Sequence, residues 1–225
     1  MSVRLIAISR PVIDDVPGTT ELLAYMARVS STANQNSHET GGKLLRSLVR
    51  RKEWSPLEMI SLTMEIVTTR DIARQILRHR SFSFQEFSQR YAAVVEPPVL
   101  REARLQDHAD RQNSIDTDDR GLAEEWVSQQ AAANRATQAA YQWALDYGIA
   151  KEVARAVLPE GTTPSRLYMA GTLRSWLHYL DLRCDPKTQK EHRLLAAAAS
   201  AIIATELPDL ADLLPHPAIR APVSV

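Results

Sequence analysis

Arg78, His79 and Arg80 set three hydrogen-bond donors in succession, and Gln75, three residues before Arg78 at the end of an expected helix, shares a face with it. If the residues that follow run extended, alternate side chains fall on one side. Glu86, Ser88 and Arg90 then point one way, and Gln85, Phe87, Gln89 and Tyr91 the other. An acceptor, a hydroxyl and a guanidinium on one face suit a polar ligand that carries an amide-like edge and a phosphate, because the planar fork of arginine matches phosphate oxygens. The same residues also fit a solvated basic turn, or a platform for single-stranded RNA on which arginine and aromatic side chains alternate. Ser88 would be the natural nucleophile, but no base stands near it in the sequence to activate it, so it is assigned to binding.

A second segment, residues 166–183, carries Thr172, Tyr179 and Arg183 near one angular position if it is wholly helical, with Arg174 and His178 paired at i, i+4 on another face. Leu173, Trp176, Leu177 and Leu180 supply apolar cover. Polar groups on two faces with bulky apolar residues between them suit a junction buried among subunits; a surface helix solvated by its arginines is the plainer alternative. Cys184 beside Arg183 is either an activated thiolate or a structural cysteine. Other chemistries lack their parts. The seven glycines form no G-x-G-x-x-G, and Gly41-Gly42-Lys43 lacks the leading glycine and the Ser/Thr of a phosphate-binding loop. The six histidines show no metal-ligand spacing, so no metal is expected.

The elements that must hold these residues follow from pattern. The chain of 225 residues, 44% hydrophobic and 24% charged, can bury a core without staples, and its single cysteine excludes an internal disulfide. Lys plus Arg and Asp plus Glu both number 27, a neutral balance that argues against a generic nucleic-acid or membrane-surface binder. No stretch approaches the roughly 18 apolar residues of a membrane span, and the N-terminal apolar run is too short for a signal-peptide core; a cytoplasmic protein is expected. Residues 3–9 read as a buried strand, and Ile60, Leu62, Met64 and Ile66, alternating with polar residues, as a half-buried one. Helices are expected over 19–26, 43–52, a short turn opened by Asp71, 122–147, 151–158, from Thr163-Pro164 to about Arg183, and 189–207. In the long helix, Leu122, Trp126, Trp143, Ala144 and Tyr147 are expected on the apolar side. Residues 30–42 read as a loop, 101–120 as a mobile excursion, and the tail beyond Leu213 as a loop. The sum is an α+β single domain over 1–225, rich in helix, with a small, mainly antiparallel sheet.

Arg78-His79-Arg80, seven residues and then Ser88 resemble the signature of the flavin-dependent thymidylate synthases, and the whole run RHRSFSFQEFSQRY is similar to that family. Ser55-Pro56-Leu57-Glu58 upstream, and Arg155 before Val157-Leu158-Pro159 and GTLRSWLHYLDLR downstream, fall in the family's order, so the likeness covers roughly residues 50–95 and 150–195. The resemblance implies reductive methylation of dUMP to dTMP, with methylenetetrahydrofolate as carbon donor and FAD reduced by NADPH, in a homotetramer with flavin sites between subunits. It implies FAD contacts by Ser55, Arg78, His79, Arg80, Glu86, Thr172, Leu173, Arg174 and His178. It implies dUMP contacts by Gln75, Arg78, Glu86, Ser88, Gln89, Arg90, Arg155 and Arg183, with Arg90 and Arg155 toward the phosphate. Arg183 matches the residue that activates dUMP by favouring loss of its N3 proton. Met59 and Glu53 stand where members often have histidine, and Thr172 where asparagine is frequent. A methyl transfer using a Cys184 nucleophile, a diverged flavoprotein without folate chemistry, and the RNA-binding module are the competing readings.

Overall fold

The computed structural model describes residues 1–215. In chain order the elements are β1 (Ser2–Ile8), α1 (Thr19–Ala27), α2 (Gly41–Arg51), β2 (Ser61–Thr69), α3 (Arg70–Ile76), β3 (Ser83–Glu86), β4 (Arg104–Gln106), β5 (Ser114–Asp116), α4 (Arg120–Asp146), α5 (Lys151–Ala154), β6 (Pro164–Thr172), α6 (Leu173–Arg183) and α7 (Lys190–Glu206). Four strands form one sheet in the order β1-β2-β6-β3, every neighbouring pair antiparallel, and β4-β5 is a separate hairpin. The α+β class and the small antiparallel sheet agree with the sequence reading.

The alternation in β2 does what its period of two demands. Leu62, Met64 and Ile66 are buried and meet Leu167 and Met169 of β6. Trp176 and Leu180 of α6 and Leu195, Ala199 and Ile203 of α7 complete this cluster, each buried aliphatic side chain contributing about 1.5–3 kcal/mol. The opposite face of the sheet is polar: Glu65 accepts from Arg4 across β1 and from the Tyr168 hydroxyl across β6. The apolar side holds the sheet in place, so the loops leaving β2, β3 and β6 have fixed anchor points.

Four expectations are corrected. Thr163-Pro164 opens a central strand, not a helix: Pro164 is the first residue of β6, where its missing N–H costs least. The helix begins only at Leu173, capped by Thr172, whose Oγ1 accepts from the Ser175 amide. Asp71 does not cap α3; Thr69 occupies that position and its hydroxyl donates to Asp71. Residues 101–120 hold the β4-β5 hairpin, with Arg104 paired to Glu191 and Arg101 to Asp71. In α4 the inner face is polar at Gln130 and Asn134 and apolar only further on, at Tyr141 and at Ala144, which lies inside as expected. Gln130 reads the backbone N–H and C=O of Arg101, and Asn134 accepts from Thr162, while Trp126, Trp143 (56% exposed) and Tyr147 (74%) face outward. Residues 30–42, read as loop, also contain two short 3-10 turns and the first two residues of α2. The tail is described only to Pro215, so the loop expected beyond it and His216 lie outside the described residues.

Candidate active site

The RHR segment is a turn seated by an aromatic anchor. The chain leaves α3 with the His79 amide donating to the Ile76 carbonyl and the Phe82 amide to the His79 carbonyl. Phe82 is buried, its ring edge-on to Trp176 at 5.0 Å. It lies across Gly171 of β6, where a Cβ would fall 2.4 Å from the ring, so the strand must lack a side chain at that point. This seating presents Arg78 and Arg80 to solvent and turns His79 inward.

His79 meets α6 there. Arg183 Nε donates to His79 Nε2 at 2.9 Å, and the His79 ring stands edge-on to Tyr179 at 4.9 Å. A guanidinium only donates, so Nε2 is an acceptor and the imidazole is neutral with its proton on Nδ1. Burial first, and the Arg183 charge second, push the His79 pKa down to about 4. Arg74, Gln75, Leu77 and Arg78 line an open groove beside this contact.

A second group gathers beyond β3. Strand geometry ends at Glu86, and the chain then turns, with the Tyr91 and Ala92 amides donating to the Ser88 carbonyl. The expected alternation placing Glu86, Ser88 and Arg90 on one side is therefore broken. Glu86 accepts from Ser165 at 2.7 Å and pairs with Arg70 at 3.5 Å, and with Ser88 it lines a groove shared with Arg166 and Tyr168. Gln89 is buried, and its Nε2 has no partner among the described residues. Arg90 pairs with Glu152 of α5, three residues before Arg155.

The third group surrounds the start of α6. Arg174 pairs with Glu58 of the Ser55-Pro56-Leu57-Glu58 turn, and His178 stands edge-on to Trp54 at 4.6 Å, one residue before Ser55. Leu173, expected at the flavin, has its side chain wholly in the core and its amide on the Ile60 carbonyl, which anchors the start of α6.

The structure thus brings Gln75, Arg78, His79 and Arg183 together, and Ser55, Arg174 and His178 together, but places Glu86, Ser88, Gln89, Arg90 and Arg155 on a separate patch. Two competing readings lose their basis. Phe82 is buried and Phe84 packs on the core, which withdraws two of the rings an RNA platform would use and leaves Tyr91 as the exposed aromatic of the stretch. Cys184 is buried, and burial, with a smaller contribution from Asp181, pushes its thiol up to about 11, the reverse of an activated nucleophile.

Sequence reasoning missed a buried polar chain behind Gln75. His192 of α7 is fully buried, with Nδ1 3.2 Å from Gln75 Oε1 and Nε2 3.1 Å from the Tyr179 hydroxyl. The signal available was a Glu-His pair in an otherwise alanine-rich helix, which a reading of each histidine by itself passes over.

Comparison with known proteins agrees with this geometry. The family model described as thymidylate synthase complementing protein matches residues 11–209. The chain is 50% identical over 218 residues to the flavin-dependent thymidylate synthase of Synechocystis, covering 95% of this chain and 99% of that protein. It is 46% identical over 214 residues to the probable flavin-dependent thymidylate synthase of Paramecium bursaria Chlorella virus 1, with the same coverage. The UMP/dUMP methylase PolB of Streptomyces cacaoi, solved with 5-Br dUMP, superposes with a TM-score of 0.79 at 28% identity, covering 94% of this chain and 93% of that one. With both motif segments meeting at Arg183 and His79 and the match running through nearly the whole length, the chain belongs to the thymidylate synthase complementing protein family, that of the flavin-dependent thymidylate synthases.

Proposed function

We propose that this chain methylates dUMP to dTMP, taking its carbon from methylenetetrahydrofolate and its reducing equivalents from NADPH through FAD, as a cytoplasmic homotetramer. The observation that carries the reading is the Arg183–His79 hydrogen bond, which joins the substrate-activating arginine to the centre of the RHR turn.

The residues present fit a flavin. Arg78 and Arg80 are exposed cations that suit its pyrophosphate, Ser55 stands beside the Trp54–His178 pair, and Arg174 and Thr172 lie at the neighbouring helix start. When bound, FAD supplies the hydride that reduces the transferred carbon. The chain's own residues do the rest. Arg183 spends Nε on His79, which leaves its terminal Nη groups for the pyrimidine. There a fixed guanidinium stabilises the anion formed on loss of the N3 proton and makes C5 electron-rich. A neutral His79 adds no competing positive charge beside that guanidinium. Gln75 and Gln89 supply amide groups for the base, Ser88 a hydroxyl, and Arg90 and Arg155 the phosphate contacts. Gln89 Nε2, buried without a partner among the described residues, is the kind of donor a bound ligand satisfies.

Two observations support assembly. Of the expected dUMP residues, Gln75 and Arg78 line one groove and Glu86 and Ser88 another, which fits a site completed by more than one copy. The outward aromatic face of α4 supplies an apolar surface for contact between copies. The high identity to relatives named as thymidylate synthases favours this reading over a diverged flavoprotein. The test is dTMP formation by the purified protein from dUMP and methylenetetrahydrofolate, with FAD and NADPH each supplied or withheld; product that forms without either one would overturn it.

A further inference from the structure

We propose that Glu191 acts as a positioning residue, fixing through Gln189 which amide atom of Gln75 faces each neighbour, so that Gln75 meets dUMP with one pattern of donor and acceptor. This rests on the reading of Gln75 as a dUMP contact.

Glu191 is buried against Arg104, 2.6 Å away, and Arg101, at 3.7 Å. Burial opposes its ionisation, but its own backbone amide, Arg104, Gln189 and Arg101 outweigh that and lower its pKa. An ionised carboxylate only accepts, so Gln189 must turn Nε2 toward it, at 3.0 Å. Gln189 Oε1 then faces Gln75 and accepts from Gln75 Nε2 at 2.8 Å. Gln75 Oε1 is left toward His192, which must carry its proton on Nδ1 and accept at Nε2 from the Tyr179 hydroxyl. Either amide alone could flip at small cost; the carboxylate at one end settles all of them. Arg104 lies in β4 and Arg101 just before it, so the base of the hairpin, which no recognised motif covers, is wired to the substrate groove.

The experiment measures dUMP affinity by calorimetry, and kcat at saturating dUMP, on the full chain and on Gln75→Ala, Gln189→Ala and the double variant. Gln189 is exposed, so its truncation leaves the fold intact. Gln189→Ala is expected to weaken dUMP binding about fivefold to tenfold, the worth of one ordered hydrogen bond, with kcat and flavin content held within about twofold. Acting through Gln75, it should add nothing to Gln75→Ala in the double variant. Glu191→Gln, which frees Gln189 to turn, should match Gln189→Ala; if it fails to fold, the Gln189 series still decides. A wild-type chain that binds no dUMP, or a Gln75→Ala variant that binds like wild type, sinks the site reading and the relay together. A Gln75→Ala loss with Gln189→Ala unchanged, or additive losses in the double variant, overturns the relay alone.

Discussion

The hydrogen bond from Arg183 Nε to His79 Nε2 is the hinge between the two recognisable segments of this chain. It fixes three things at once: the tautomer of the imidazole, the aim of the guanidinium and the distance between the RHR turn and α6. A lysine could supply the charge at 183 but not this fork, whose remaining arms are free while one is used.

Replacing Arg183 by alanine is expected to cut dTMP turnover by about a hundredfold or more, the usual loss when a fixed charge-stabilising donor is removed. Flavin content, read from the absorbance of the purified protein, should stay near wild type. Turnover within tenfold of wild type would remove the activating role.

Cys184→Ala should leave dTMP formation within about twofold, because a buried thiol pushed up to about 11 offers almost no thiolate at neutral pH. A steady-state assay decides, and a large loss of kcat would restore the thiolate reading.

Arg90→Ala should raise the dUMP concentration needed for half saturation about tenfold, consistent with loss of a charged hydrogen bond to phosphate. Its present partner, Glu152, is on the surface, so the change in unfolding free energy should stay within about 1 kcal/mol. An unchanged dUMP requirement would move the phosphate contact elsewhere.

Acid should loosen the fold before most carboxylates titrate. His79 and His192 have folded pKa values depressed to about 4 and about 3, in each case chiefly by burial, against an ordinary 6.5. The unfolded chain therefore binds more protons between those values and 6.5, so stability is full above about pH 6.5 and falls as pH drops toward 4. The loss is on the order of 1 kcal/mol per pH unit for the fully buried His192 and smaller for His79, whose part-exposed ring is screened by solvent. Urea unfolding at pH 7.5 and 5 checks this; equal midpoints would mean that neither imidazole is held neutral.

Trp143→Glu on the outer face of α4 should shift the particle to a smaller mass in analytical ultracentrifugation while leaving the circular dichroism of the chain unchanged. Wild-type mass for the variant would show that this face is not the contact between copies.

The fold class and the RHR turn were legible because both rest on local pattern. The alternation of Leu62, Met64 and Ile66 survives unchanged, and the donor cluster lies within three residues. Pro164 misled because a proline after threonine opens helices and strands alike; the choice was made by Leu167 and Met169 finding β2, a contact distant in sequence. The side of α4 was misjudged, Ala144 apart, for a related reason. Gln130 and Asn134 turn inward because backbone groups of Arg101 and the Thr162 hydroxyl await them, which no periodicity records. The separation of Gln75 and Arg78 from Glu86 and Ser88 was equally invisible, since it depends on how the chain turns between and after them.

The place of β6 between β2 and β3 also governs how the protein must be made. Its partners are synthesised long before it, and until residues 164–172 emerge, β2 has an unpaired edge beside Leu62, Met64 and Ile66. Neither the seat of Phe82 on Gly171 nor the start of α6 can form earlier. Assembly of the ligand groups thus waits on the emergence of β6, and a ribosome stalled before that point would hold an intermediate with an open, apolar strand, slow to close and prone to join its neighbours.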